Sequence, residues 1–247
     1  MNKFIYQNKS SLLKVKRFLN SLFGLEIIKY PTGELSRRIA MLNHYNIDVV
    51  LDVGANIGQY GSELRNLGYK NRIISFEPLS EAFEKLKKNA AKDQNWDILN
   101  VALGESDGES VINVSINSVS SSILDNLPQL TESAPRAGFA RKETIQLRKL
   151  DNLSNELNLI GKNIYLKIDA QGYEEKVLEG AADFLKHVKG IQIEMAFVPM
   201  YDGAITFDQM KAKLNSLGFS LMGLENGFYD KQTGKQLEVD GIFYKQN

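Results

Sequence analysis

LDVGANIGQY, residues 51 to 60, carries an apolar run into an acid and then into two glycines four positions apart. With the residues before it the run reads IDVVLDVGA from Ile47, the near-continuous apolar pattern of a strand buried on both faces of a parallel sheet. The glycines predict a tight turn at its end, and a helix follows from about Gln59 to Leu67. A strand, a glycine turn and a helix in that order open a βαβ unit.

The rest of the chain continues that alternation. RIISFEP (72–78) is a second strand closed by Pro78. LSEAFEKLKKNAAK (79–92) predicts a helix capped by Ser80, with Phe83, Leu86 and Ala90 facing inward. WDILNVALG (96–104) reads as a third strand. ESVINVSI and ETIQLRKL alternate as half-buried strands. Residues 117–142 between them lack periodicity and carry Pro128 and Pro135, which predicts a long functional loop or lid outside the core. NIYLKIDAQG (163–172) is another buried strand, followed by a helix over 173–188. GIQIEMAF is the next strand and TFDQMKAKLNSLG a helix ended by its glycine. FSLMGLE and LEVDGIFYKQ form a closing antiparallel pair. The fold class is therefore α/β, a mostly parallel sheet with helices on both faces.

The chain has 247 residues, enough for one domain with a full core. Its 30 basic residues balance 30 acidic ones, so no global field favours nucleic acid. It has no cysteine, which excludes disulfides and thiolate-ligated zinc and suits the cytoplasm. No apolar run reaches the roughly 18 residues of a membrane span. Residues 1–46 read as an N-terminal helical arm or lid, with Leu12, Val15, Leu19, Leu22 and Phe23 on one stripe. Lys14, Lys16, Arg17 and Glu26 break any signal-peptide core. Six basic residues against one acid in residues 1–29 permit peripheral membrane contact through this arm, although packing on the main domain is the simpler reading.

Ligands of a doubly wound sheet bind beyond the carboxyl ends of its strands. A dinucleotide would call for G-x-G-x-x-G, whose middle glycine lets the backbone approach a pyrophosphate. Here Asn56 stands in that place, between Gly54 and Gly58. Asp52, two residues before Gly54, would repel a phosphate and attract a cation. S-adenosylmethionine is such a ligand, with an ammonium, a sulfonium and no phosphate. Glu77, at the end of the second strand, is placed to accept both ribose hydroxyls. Gly54, Ala55, Asn56, Gly58, Gln59 and Pro78 complete this wall of the cofactor site. Asn100 or Ala102 would lie beside the adenine, or an acid beyond them, Glu105 or Asp107. Asp107-Gly108 reads equally as a hairpin turn.

These blocks resemble the FkbM-type family of S-adenosylmethionine-dependent methyltransferases. The resemblance rests on LDVGANIGQY, FEP, LKIDAQGYEEKVLEGA and QIEMAFVPMYDG, with DKQTGKQLEVDGIFYK similar to the family's last hairpin. It spans roughly residues 47 to 245, and KIDAQGYEEKVLEGA is its most specific part. Ala170 departs from the branched residue expected there. The resemblance implies a Rossmann-like methyltransferase domain over 47–247, with a seven-stranded sheet that includes one antiparallel strand. It also implies methyl transfer to oxygen, with acceptors that are often hydroxyls of sugars and glycans.

A hydroxyl is a poor nucleophile until its proton is drawn off. Asp169, Gln171 and Glu174 follow the strand that faces the crevice. Asp169 is the first candidate for general base, or for ligand to a magnesium-like cation shared with Glu194. Gln171 would orient the acceptor. Glu194 would otherwise be a buried acid paired with Lys167, and Glu174 a helix cap. His44 and His187 read as structural. Pro199 and Tyr201 line an acceptor pocket in this reading, and the serines of SVSSSIL (118–124) either meet a sugar or are simply solvated.

The competing classes each predict something further. An NAD-dependent oxidoreductase or nucleotide-sugar enzyme needs the missing glycine, and in its common sugar-modifying form Tyr-x-x-x-Lys on a helix. A nucleic-acid methyltransferase needs a basic face and an N/D-P-P-aromatic motif. A non-catalytic scaffold of the same fold should have lost Asp52, Glu77 or Asp169, and all three are present.

Overall fold

Seven strands lie in the order β3-β2-β1-β7-β8-β10-β9 in a computed structural model that describes residues 3–24 and 28–245. They are β1 (Val49–Val53), β2 (Arg72–Phe76), β3 (Trp96–Leu99), β7 (Ile164–Ile168), β8 (Val188–Ala196), β9 (Phe219–Asn226) and β10 (Glu238–Lys245). All run parallel except β10, which is antiparallel to both its neighbours. This is the Rossmann-like sheet with one reversed strand.

All five residues of β1 and all five of β7 are buried, which is why both read as continuous apolar runs. The pleat sends Leu51, Ile74, Leu166, Ile191 and Phe243 into one core layer. Val50, Ile73, Tyr165, Ile242 and Tyr244 enter the other, against Leu42, Leu64 and Trp96. Helices α3 (Gln59–Asn66), α4 (Ser80–Ala90), α6 (Leu150–Glu156), α7 (Glu174–Glu179) and α8 (Phe207–Ser216) connect the strands. The Gln209 side chain reaches back to the Thr206 N–H (2.8 Å) and fixes where α8 begins.

The chain divides into two compact units, residues 1–38 and 39–247. The first contains α1 (Lys3–Phe23), and α2 (Gly33–His44) runs across the boundary. On α1 the expected stripe residues Val15, Leu22 and Phe23 are exposed, as are Leu13 and Phe18. The side chain of Leu12 and the whole of Glu26 lie outside the described residues. No helix among the described residues is long and apolar enough to cross a membrane.

Four expectations need correction. WDILNVALG is not one strand: Asn100 donates through its amide to the carbonyls of Glu77 and Pro78 and turns the chain away after β3. The continuation, β4 (Ala102–Leu103), joins a second sheet of order β4-β6-β5 with β5 (Gly108–Ser115) and β6 (Phe139–Arg148). Ala102 and Gly108 both pair with Leu147 of β6, so Asp107-Gly108 makes no hairpin between β4 and β5. Ser80 does not cap its helix, because its N–H and hydroxyl both donate to Glu143 (2.9 and 2.7 Å). The helix expected over 173–188 stops at Gly180, where a Cβ would collide with the Gly104 carbonyl. A short 3-10 turn, Phe184–His187, takes its place.

The stretch expected to stay outside the core also contributes to it. Helix α5 (Pro128–Ser133) buries Leu130 with Ala137, Met200, Tyr201 and Leu237.

Phe243 is fully buried in the central layer. Phe243→Ala is expected to lower unfolding free energy by about 3–5 kcal/mol in chemical denaturation, from lost transfer energy and the cavity left behind.

Candidate active site

The strand register assembles the site. Val53, Phe76, Leu99, Ile168 and Ile193 form one cross-strand row. The residue after each is Gly54, Glu77, Asn100, Asp169 and Glu194. Five strands thus present their next residue along one edge, four of them just past their carboxyl ends and Glu194 two residues before the end of β8. The chain order reverses between β1 and β7, the switch point where ligands of open α/β sheets bind.

In the turn after β1 every amide from Gly54 to Gly58 is occupied. Gly54 and Ala55 donate to the Phe76 carbonyl, and Gly58 donates to the Ala55 carbonyl. Asn56 donates to Glu77 Oε2 (2.7 Å), and Ile57 to the side chain of Asn56 (2.8 Å). Gly54 has φ +73°, and a Cβ on it would strike the Asp169 carbonyl, so β1 and β7 approach too closely for any side chain there. Gly58, at φ +88°, packs against Trp96 and Leu86. Glu77 is buried and also accepts from the Leu79 N–H (2.9 Å). Burial pushes its carboxyl up to about 7, against these two amide hydrogen bonds. Pro78 is half-buried and Gln59 exposed on either side of the turn, while Ala102 is buried in the second sheet.

Asp52 is fully buried. It accepts from Ser75 Oγ (3.1 Å), which in turn accepts from the Trp96 indole (3.0 Å). Its ion-pair partner is Lys167 Nζ at 3.4 Å. Lys167, itself 6% exposed, also pairs with Asp169 Oδ2 (3.3 Å) and reaches the carbonyls of Val53 and Gly54. Burial raises the Asp52 carboxyl and Lys167 opposes it. Burial works against the lysine's charge too, but Asp169, Asp52 and Asp240 outweigh it and hold Lys167 above the ordinary lysine range. Glu194, whose alternative reading from the sequence is a buried acid paired with Lys167, forms no ion pair with it among the described residues.

Gln171, at φ +52°, joins the remaining candidates. Its amide donates to Asp169 Oδ1 (2.8 Å) and Glu194 Oε2 (2.9 Å), and its oxygen accepts from the Tyr201 hydroxyl (2.7 Å). Both N–H bonds are therefore engaged within the protein. Asp169 and Glu194 are bridged by this amide, and among the described residues no group of three or more His, Cys, Asp or Glu could hold a metal ion. The donor set does not fit the expected magnesium-like cation.

Ser122, 1% exposed, donates to the Gln171 carbonyl (2.6 Å), so the serine stretch folds against the site at Ser121 and Ser122 while Ser118 and Val119 stay exposed. Glu174 is buried and accepts from the N–H groups of Ala170 (2.8 Å) and Gly172 (3.1 Å), stapling the loop before its helix. Glu105 accepts from the Tyr173 hydroxyl, and Asp107 from Lys149 N–H and Asn152. His44 stacks edge-on against Tyr45, and His187 lies beside Phe184.

A partly enclosed cavity opens next to this network, lined by Glu174, Glu194 and Glu238 with Tyr201, Met200 and Met210. Burial, reinforced by the neighbouring acids, pushes Glu174 up to about 7 and Glu238 up to about 8, and raises Glu194 well above its ordinary value. Glu238 carried no role in the sequence reading. It opens a strand directly opposite Ala196 of β8, a register that only the folded sheet reveals.

The methyltransferase FkbM domain model matches residues 52–221, from Asp52 in β1 to β9. The chain belongs to the FkbM methyltransferase family. Among curated relatives, 2-O-methyltransferase NoeI of Sinorhizobium fredii is 25% identical over 189 residues, which cover 73% of this chain and 77% of that one. AMB antimetabolite synthetase AmbE of Pseudomonas aeruginosa is 26% identical over 179 residues, 60% of this chain but 8% of its own length. Among solved structures, the 1,6-didemethyltoxoflavin-N1-methyltransferase of Burkholderia thailandensis aligns over 99% of this chain and 90% of its own, at 9% identity and a TM-score of 0.47.

Two outcomes follow from the electrostatics of this methyltransferase. Lys167→Met leaves Asp52 buried without its cation and is expected to cost about 3–5 kcal/mol in urea denaturation. Adding Asp52→Asn should recover part of that loss, and a double-mutant cycle with no coupling would refute the pairing. The second concerns pH. Glu77, Glu174 and Glu238 keep their protons in the fold up to about 7, 7 and 8, whereas the unfolded chain releases them near 4.5. Within that window the native state binds more protons, so stability should fall as pH rises from about 5 to 8. Glu238→Gln should flatten the slope near the top of the window in stepwise urea titrations.

Proposed function

We propose that the chain transfers the methyl group of S-adenosylmethionine to a hydroxyl of a sugar or glycan-type acceptor. The observation that carries this reading is the fully occupied turn. With the amides of Gly54 to Gly58 all donated internally, a pyrophosphate finds none of the N–H groups it requires there. A ligand with positive charge and no phosphate meets carbonyl oxygens and the Glu77 carboxylate instead. S-adenosylmethionine, when bound, supplies an electrophilic methyl carbon on its sulfonium.

In this reading Glu77 accepts the ribose hydroxyls with the lone pairs its two amides leave free. Ala55, Asn56, Gly58 and Gln59 form one wall, and Pro78 and Asn100 flank the base. Asp52 positions rather than touches, because through Lys167 it holds the Val53 and Gly54 carbonyls. Asp169, about a third exposed, takes the acceptor's proton as general base. Gln171 and Glu194 fix its orientation. The name of the NoeI relative, a 2-O-methyltransferase, supports oxygen as the accepting atom. The frequency of sugar acceptors in the family supports a glycan.

Calorimetric titration with S-adenosylmethionine, S-adenosylhomocysteine and NAD tests this. Micromolar binding of both sulfur compounds and none of NAD is expected; binding of NAD alone would transfer the chain to the oxidoreductases. In a radiolabelled methyl-transfer screen over sugars, Asp169→Asn should lower turnover by about 10²–10⁴-fold while the S-adenosylhomocysteine affinity stays within a few-fold.

A further inference from the structure

The cavity beyond Gln171 has an electrostatic imbalance that the methyl-transfer machinery does not use. Glu238 is 7% exposed and lines this cavity. Among the described residues its carboxyl makes no hydrogen bond and no ion pair. The charged groups acting on it are Glu174, Asp169 and Asp240, all acids. The largest charge effects on Glu194 come from Asp169, Glu238, Glu174 and Asp240, again acids. Lys167 stands apart from the cavity, held between Asp52 and Asp169.

Buried carboxyls are ordinarily paired, since leaving one without a partner is costly. Glu174 commits Oε1 to the amides of Ala170 and Gly172, and Glu194 commits Oε2 to Gln171. Glu194 keeps its other oxygen, and Glu238 keeps both. Three carboxyls therefore line one recess, and among the described residues no cation of the protein lines it with them.

We infer that this recess holds the amino group of the acceptor, a protonated amine on the same molecule whose hydroxyl meets Asp169. The inference rests on the methyl-transfer reading and narrows its acceptor to amine-bearing hydroxyl compounds, amino sugars above all. An ammonium carries three N–H donors, and the carboxyls of Glu238 and Glu194 along the recess offer acceptors for them. The cofactor's own ammonium is the other source of such a group, but the cofactor turn lies on β1. The recess lies beyond β7, at β8 and β10. Two strand spacings, on the order of 10 Å, separate β1 from β8.

The test is an amide-resolved NMR titration of the protein saturated with S-adenosylhomocysteine, using glucosamine, N-acetylglucosamine and glucose as probes. Glucosamine is expected to shift the amides of Ala196, Ala204 and Glu238, with at least tenfold higher affinity than its two neutral counterparts. Glu238→Gln, and separately Glu194→Gln, should weaken glucosamine at least tenfold and leave S-adenosylhomocysteine unaffected. Equal affinity for all three sugars, no shift at those amides, or undiminished glucosamine binding in Glu238→Gln overturns the inference. It also falls if S-adenosylhomocysteine alone shifts those amides and is weakened by Glu238→Gln, because the recess then belongs to the cofactor. Failure of S-adenosylhomocysteine to bind sinks the methyl-transfer reading itself and the assignment of the recess with it. Glucosamine failing while S-adenosylhomocysteine binds sinks only the recess.

Discussion

The ion pairs of Lys167 with Asp52 and Asp169 set the geometry on which the site depends. A lysine in a strand buried at all five positions is expensive unless its charge is met nearby. Here one carboxylate comes from β1 and the other from the end of β7, so neutralising the lysine also joins the two strands at the switch point. The lysine reaches the Val53 and Gly54 carbonyls as well, which holds the turn down onto β7. Gly54 completes the contact by having no side chain to keep its backbone off the Asp169 carbonyl. Since β3, β2, β1, β7 and β8 are in register, fixing that junction fixes the whole row from Asn100 to Glu194.

The fold was legible where burial leaves a one-dimensional trace. Strands buried on both faces read as apolar runs, and β1, β2, β7 and β8 were all found that way. Partnership across strands leaves no such trace. The letters allow Lys167 a partner in Glu194 on the neighbouring strand, yet the register places Asp52 directly opposite it on β1 and Gln192 opposite it on β8. The visible signal was the alternation Tyr165, Lys167, Asp169 on a single face of one strand, which already placed two of the three charges together. What the letters could not supply was which strand lay beside them.

The second sheet escaped for a related reason. The alternation of β5 and β6 was plain, but the departure of β4 from the main sheet hangs on the Asn100 side chain bonding two carbonyls of another segment. The serines near position 120 carry no periodicity, and their burial comes from the Gln171 turn and Tyr201, which lie far along the chain. Ser80 had the right chemistry for a cap and lost it to a stronger acceptor, Glu143, supplied by that same second sheet. Local chemistry is overridden wherever a distant charged group arrives.

The glycines of the first turn illustrate how structural and functional explanations divide. Gly54 and Gly58 are required by close packing and positive φ, so their presence alone says nothing about a ligand. The saturation of the turn's amides is the more informative fact, because it removes the anion-binding capacity that such turns commonly offer. The same distinction separates the acids of the neighbouring cavity. Glu174 staples a loop and Glu194 holds Gln171, so the fold accounts for both. The Glu238 carboxyl bonds to no partner among the described residues, and its burial beside other acids destabilises the native state once it ionises. A side chain that opposes stability in this way is best explained by what it meets from outside.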